Sequence, residues 1–134
     1  MKSFRINLVS ATLGLLTLLT PSSSFAGAVA VDSRTAGIGG WGVARADEET
    51  PSRQLQLAID RAIRYGGSAT YIRAYQFTVP KGCYASLAIG VVSGKGWAGN
   101  WGYGATPAEA ECNARAGMVR QSASQISVVR TWQE

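Results

Sequence analysis

The apolar positions of this chain change period in a fixed order, and the order occurs twice. Ala28 to Asp32, "AVAVD", is a short apolar run, and Ser86 to Gly90, "SLAIG", is another. Each leads into a glycine-rich stretch and then a tryptophan-bearing segment, Gly40-Trp41-Gly42 and Gly96-Trp97-Ala98. Short apolar runs bounded by glycine predict strands joined as hairpins. Beyond each hairpin the period becomes helical. Leu55, Ala58, Ile59, Ala62 and Ile63 share one stripe of a helix predicted over about residues 51–65. A second helix, over about 107–121, buries mostly small groups, Ala110, Ala114 and Met118. Small side chains let a helix lie close to a sheet.

Both helices carry start signals. Thr50 and Thr106 stand at the N-cap, with Pro51 and Pro107 at the first helical position, where the missing N–H would be unbonded anyway. Glu109, three residues after Thr106, completes a capping box, whereas Arg53 stands in that place in the first copy. Gly66 and Gly67 end the first helix. A closing strand follows each helix: "TYIRAYQ" at Thr70 to Gln76 and "SVVRTWQ" at Ser127 to Gln133. Arg130 then answers Arg73, and Trp132 answers Tyr75. These features recur in one order at an offset of 56 to 58 residues, which argues for two copies of one unit. The expected class is α+β: two tandem β-β-α-β repeats, about 27–80 and 81–134, forming one antiparallel-type sheet with both helices on one face.

Alternation splits the closing strands. Ile72 and Ala74 point one way; Tyr71, Arg73, Tyr75 and Phe77 point the other. In the second copy Val129 and Thr131 oppose Val128, Arg130 and Trp132. The Arg–aromatic pairs fit two descriptions. Aromatic rings can shield an arginine stem, adding about 0.5 to 1 kcal/mol of cation–π contact. Alternatively, Arg73, Tyr75, Arg130 and Trp132, with Trp97 and Trp101 of the second hairpin, form a binding face for a sugar chain, peptide or protein.

The N-terminus changes the picture. Lys2 and Arg5 precede an uncharged apolar run, Ile6 to Thr20, and "PSSSFA" supplies small residues before Gly27. This is the layout of a signal peptide over residues 1–26. The run is about 15 residues, short of the roughly 20 a spanning helix needs. No later segment is apolar enough to span, so no membrane association is expected after cleavage. Removing Lys2 and Arg5 from the 13 basic residues leaves 11 against 8 acidic, net +3. The charges are scattered rather than set in a basic stripe, which excludes nucleic acid as the expected partner.

Two cysteines in an exported chain predict a bridge between Cys83 and Cys112, worth roughly 3 to 4 kcal/mol for a loop of about 29 residues; two separately buried thiols are the alternative. With no histidine, the cysteines cannot complete a zinc site unless carboxylates help, so no metal or cofactor is expected. Gly94-Lys95-Gly96-Trp97-Ala98-Gly99 fits a dinucleotide fingerprint, but Trp101 and Tyr103 intervene before the helix, so it reads as a hairpin turn. Asp47-Glu48-Glu49 could supply two carboxylates for glycoside hydrolysis. Its position before Thr50 equally complements the first helix's positive end. Serine nucleophiles lack a histidine base, and no spacing supports a lysine partner.

The stretches "GCYASLAIG", "GNWGYGATPAEAE" and "NARAG" resemble the bacterial secreted domain of unknown function 4189 family. Cys83, Leu87, Ala88, Gly102, Tyr103, Gly104, Glu109 and Ala110 match its pattern, and the resemblance covers about Gly82 to Gly117. It implies an envelope or secreted bacterial protein and no known reaction. The expected function is a small exported binding module without catalytic residues, engaging an unidentified protein or cell-wall glycan. A secreted cell-wall glycan hydrolase using the acidic triplet is the second reading. A periplasmic inhibitor or immunity protein, presenting the Trp97 to Tyr103 hairpin, is the third.

Overall fold

A computed structural model describes residues 24–134, with side chains from Gly27 onward. The expected leader lies outside the described residues except for Ser24, Phe25 and Ala26, whose backbone opens the first strand. The elements are β1 (Ser24–Asp32), a 3-10 turn (Ala36–Ile38), β2 (Trp41–Ala44), α1 (Pro51–Arg64), β3 (Ile72–Pro80), β4 (Tyr84–Val92), β5 (Gly96–Gly104), α2 (Pro107–Arg120) and β6 (Ser124–Gln133). The class is α+β, and each half is a β-β-α-β unit.

The single sheet expected from the sequence is replaced by two. β2-β1-β3 and β5-β4-β6 are separate antiparallel sheets, each with its opening strand in the centre. The physical reason lies in the central strands. Ala28 and Ala30 pack with Ala58 and Ala62 of α1, and Ala88 packs with Ala114 and Met118 of α2. The opposite faces carry the larger residues Val29, Val31, Leu87 and Ile89. With both helices on the alanine faces, one continuous sheet would leave that larger face to water. Stacking the sheets merges it into one core, and burying each such side chain contributes about 1.5–3 kcal/mol. The result is four layers, helix–sheet–sheet–helix.

The helix ends behave largely as the sequence implies. Thr106 Oγ1 accepts from Glu109 N at 3.1 Å, and Glu109 Oε1 accepts from Ala105 N at 2.7 Å, one residue before the cap. Thr50 makes no side-chain cap. Gly66, at φ +106°, closes α1, and Ser122 takes its place after α2 at φ +58°. The α1 stripe is turned from expectation. Gln54, Ala58 and Ala62 are buried, while Ile63 is 42% exposed. Gln54 Nε2 donates to Ala46 O (3.0 Å) and Glu49 O (3.1 Å), tying the preceding loop to the helix.

The expected bridge is absent: Cys83 and Cys112 are both free thiols. Cys83 precedes β4 and packs against the inter-sheet core. Cys112 is exposed on α2, on the side opposite the buried Ala110, Ala114 and Met118. Cys112 therefore points away from the sheet whose central strand Cys83 precedes.

Candidate binding grooves

In β3, Arg73, Tyr75 and Phe77 oppose Val31, Val29 and Gly27 of β1, while Ile72 and Ala74 pack toward α1. This is the alternation expected. In β6, Arg130 and Trp132 oppose Leu87 and Ala85 of β4. A bulge between Leu87 and Ala88 then reverses the facing: Val129 joins the inter-sheet core and Val128 packs toward α2, the opposite of the expected assignment.

The register also corrects the equivalence of the two phrases. Gly27 and Ala85 hold matching places at the starts of the central strands. Their partners are Phe77 and Trp132, which meet in the core at 5.9 Å between ring centroids. Trp132 thus answers Phe77, and Arg130 answers Tyr75. The resemblance "YIRAYQ"/"VVRTWQ" is two residues out of structural register. A two-residue shift preserves facing, so both arginines still point to the inter-sheet side.

The single binding face is therefore divided. Trp132 is 7% exposed and its Nε1 donates to Glu134 Oε2 at 2.6 Å, so it is a core residue. Trp97 is half-buried against Gly37, which has no room for a side chain. Trp101 is half-buried, stacked on Phe77 at 5.1 Å and on Tyr103 at 5.9 Å. The Trp97–Tyr103 segment is consequently strand β5 rather than an exposed apolar loop. Arg73 and Arg130 fall in two different grooves at the edges of the sheet stack.

The larger groove measures about 400 Å³ and joins Arg73 and Tyr75 of β3 to Lys95, Gly99, Trp101 and Gln121 of the second unit. The smaller, about 170 Å³, joins Arg130 of β6 to Trp41, Val43, Arg61, Arg64 and Tyr65 of the first. The duplication relates them. Registered on the central strands, Gly99 stands where the other groove has Trp41, and Trp101 where it has Val43. Gly99 opens the larger groove, and its bare backbone lets Val31 of the other sheet approach: a Cβ there would sit 2.6 Å from Val31 Cγ2.

Charge distinguishes the grooves further. Arg73, Tyr75 and Lys95 are exposed. Among the described residues, neither Arg73 nor Lys95 has an ion-pair partner. In the smaller groove Arg61 grips Glu48 through both guanidinium nitrogens, at 2.7 and 2.9 Å, and also donates to Val43 O at 2.8 Å. The Arg61 hydrogen bond holds the Glu48 carboxyl below its ordinary range, burial opposes this, and the Arg45 N–H and the Arg130 charge lower it further.

The acidic triplet does not converge. Asp47 pairs with Arg45 (3.4 Å), Glu48 with Arg61 and Glu49 with Arg53 (3.4 Å), so three arginines draw the carboxylates apart. The Gly94–Gly96 stretch is a tight turn with positive φ at both glycines, +79° and +85°, leading into β5 rather than a helix. Among the described residues, no three His, Cys, Asp or Glu side chains assemble as metal ligands.

Sequence reasoning singled out Arg73, Tyr75 and Trp101 but missed Lys95 and Gln121. Lys95 carries one visible signal, a lone cation between two turn glycines. Asp32 was missed altogether. It is 1% exposed and accepts from Arg34 N (2.7 Å), Thr35 N (2.9 Å) and Ser68 N (2.7 Å), pinning the end of β1 to both flanking loops. Its signal was an aspartate opening a Ser-Arg-Thr turn. No known family model, curated protein or solved structure matches this chain.

Proposed function

We propose that the chain is an exported, non-enzymatic binding module that holds an acidic cell-wall glycan in the larger groove. One observation carries this reading: two cations without ion-pair partners among the described residues, Arg73 and Lys95, line the same groove as the rings of Tyr75 and Trp101. Aromatic faces take the apolar face of a sugar ring, and guanidinium matches a carboxylate in a fork. The resemblance to the domain of unknown function 4189 family favours the same bacterial envelope setting.

Sedimentation with insoluble cell-wall glycan tests the groove. The parent protein should co-sediment, and release should increase with salt, because exposed charges are screened over about 10 Å at 0.1 M. Arg73→Ala with Lys95→Ala should reduce the bound fraction. Stability should change by only about 0.5 kcal/mol per site, since both side chains are exposed. Arg130→Ala, in the other groove, should sediment like the parent. Undiminished capture by the double variant would overturn the assignment.

Export rests on the leader pattern, and the strand pairing favours cleavage before Gly27. That cut removes only Ser24, Phe25 and Ala26, which pair with Pro80, Val79 and Thr78 at the end of the sheet. Cutting before Val31 would also remove Ala28, Val29 and Ala30, all buried. N-terminal sequencing of the exported fraction should begin near Gly27; an intact Met1 there would refute cleavage.

A further inference from the structure

We infer that the smaller groove is a second binding site, built for the dianionic phosphate group of a phosphate ester and independent of the first. Three arginines line it, Arg61, Arg64 and Arg130. Glu48 neutralises Arg61 in a two-pronged pair. Among the described residues, Arg64 and Arg130 have no hydrogen-bond or ion-pair partner for their side chains. Arg130 is also half-buried on the inter-sheet side of β6. A half-buried guanidinium outside any ion pair keeps its donors for water, and an incoming anion replaces that water with charged hydrogen bonds.

Size and charge define the ligand. A cavity of about 170 Å³ is too small for a glycan unit with its neighbours, but admits one compact group. Arg64 and Arg130, neither in an ion pair among the described residues although the Glu48 carboxyl feels the Arg130 charge, match a phosphate monoester, which carries about −1.5 to −2 at neutral pH, better than a carboxylate. Arginine forks suit its oxygens. Trp41 and Tyr65, packed edge to face at 5.3 Å, wall one side. The larger groove has glycine where this one has Trp41, so the duplicated plan has yielded two sites of different chemistry.

The test titrates the full chain with inorganic phosphate at pH 7.5 and follows the Trp41 indole N–H by NMR, assigned with Trp41→Phe. A saturable shift is expected, weakened about tenfold in Arg130→Ala and in Arg64→Ala, since a charged hydrogen bond contributes about 1.5–3 kcal/mol. Arg73→Ala should titrate like the parent. Should Arg130→Ala lose its helical circular dichroism, the exposed Arg64→Ala decides alone. No shift, an equal shift with chloride at matched ionic strength, or undiminished binding by a folded Arg64→Ala would overturn the site. Sedimentation with phosphatidic-acid vesicles but not phosphatidylcholine vesicles identifies a lipid headgroup as the source. Titration by glucose 6-phosphate without sedimentation identifies a soluble ester. Either result supports the site.

Discussion

Asp32→Ala should lose about 3 to 5 kcal/mol of stability, because it strips a charged acceptor from three backbone N–H groups at once. Those groups, of Arg34, Thr35 and Ser68, lie in loops on either side of the end of β1. Burial alone would raise this carboxyl's pKa, but the three N–H donors more than offset it and leave it below the ordinary value. The sign of the pH dependence follows. A depressed folded-state pKa contributes stability that is fully present above the unfolded value of about 3.9 and is lost as pH falls through the folded value. Urea unfolding of the parent should therefore weaken on acidification below about pH 4. Asp32→Asn keeps the shape but cannot ionise, so its stability should be lower at neutral pH and flatter across the acid range. A variant as acid-sensitive as the parent would show that other carboxylates govern the loss. The second copy has Gly90 in the place of Asp32 and closes its hairpin with a three-residue turn, Ser93 to Lys95, so only the first unit depends on such a pin.

Much of the fold was legible because local rules act locally. The two threonine–proline starts, the glycines after α1 and the Ile72/Ala74 facing each depend on residues within a turn or a strand. The stacking of two sheets was not legible in the same way, since one sheet or two would show identical alternation. The signal lay in side-chain size. Ala28, Ala30 and Ala88 face helices, while Val29, Val31, Leu87 and Ile89 face the other sheet. The bulge beside Val129 depends on pairing register and has no signature in the residues themselves. Pairing register is also why the repeated phrase misled: "YIRAYQ" and "VVRTWQ" match as words, yet the partners on the central strands make Arg130 the counterpart of Tyr75. The larger groove was half legible. Arg73 and Tyr75 stand on one strand, but Lys95 and Gln121 come from the other unit and arrive only when the sheets stack.

Gly42→Ala should be among the most damaging single changes in the chain, at about 3 kcal/mol or more, and no neighbouring substitution should rescue it. A Cβ at Gly42 would meet Ala58 O and, at 2.6 Å, Ala62 N, both helix backbone atoms that cannot rotate away. α1 would have to lift off the sheet, opening the layer formed by Ala28, Ala30, Ala58 and Ala62. The second unit solves the same approach differently. Asn100 stands on β5 where β2 has Gly42, and its amide Nδ2 donates to Trp101 O (3.0 Å) and Ala114 O (3.3 Å). Gly117 of α2 leaves the room for that amide, in the helix position where α1 carries Arg61. Gly117→Ala would therefore strike a side chain rather than a backbone. It should cost about 1 to 3 kcal/mol, and Asn100→Gly in the same chain should recover part of it. A double-mutant cycle by thermal unfolding separates the cases: strong coupling between Asn100 and Gly117, and only weak coupling between Gly42 and Arg61, because the Arg61 Cβ, 2.9 Å from a Cβ at Gly42, is the lesser obstacle beside the helix backbone. If Gly42→Ala were as stable as the parent, α1 would not lie on β2 closely enough to need a bare backbone, and the small-residue packing read from the sequence would not be what sets the helix–sheet distance.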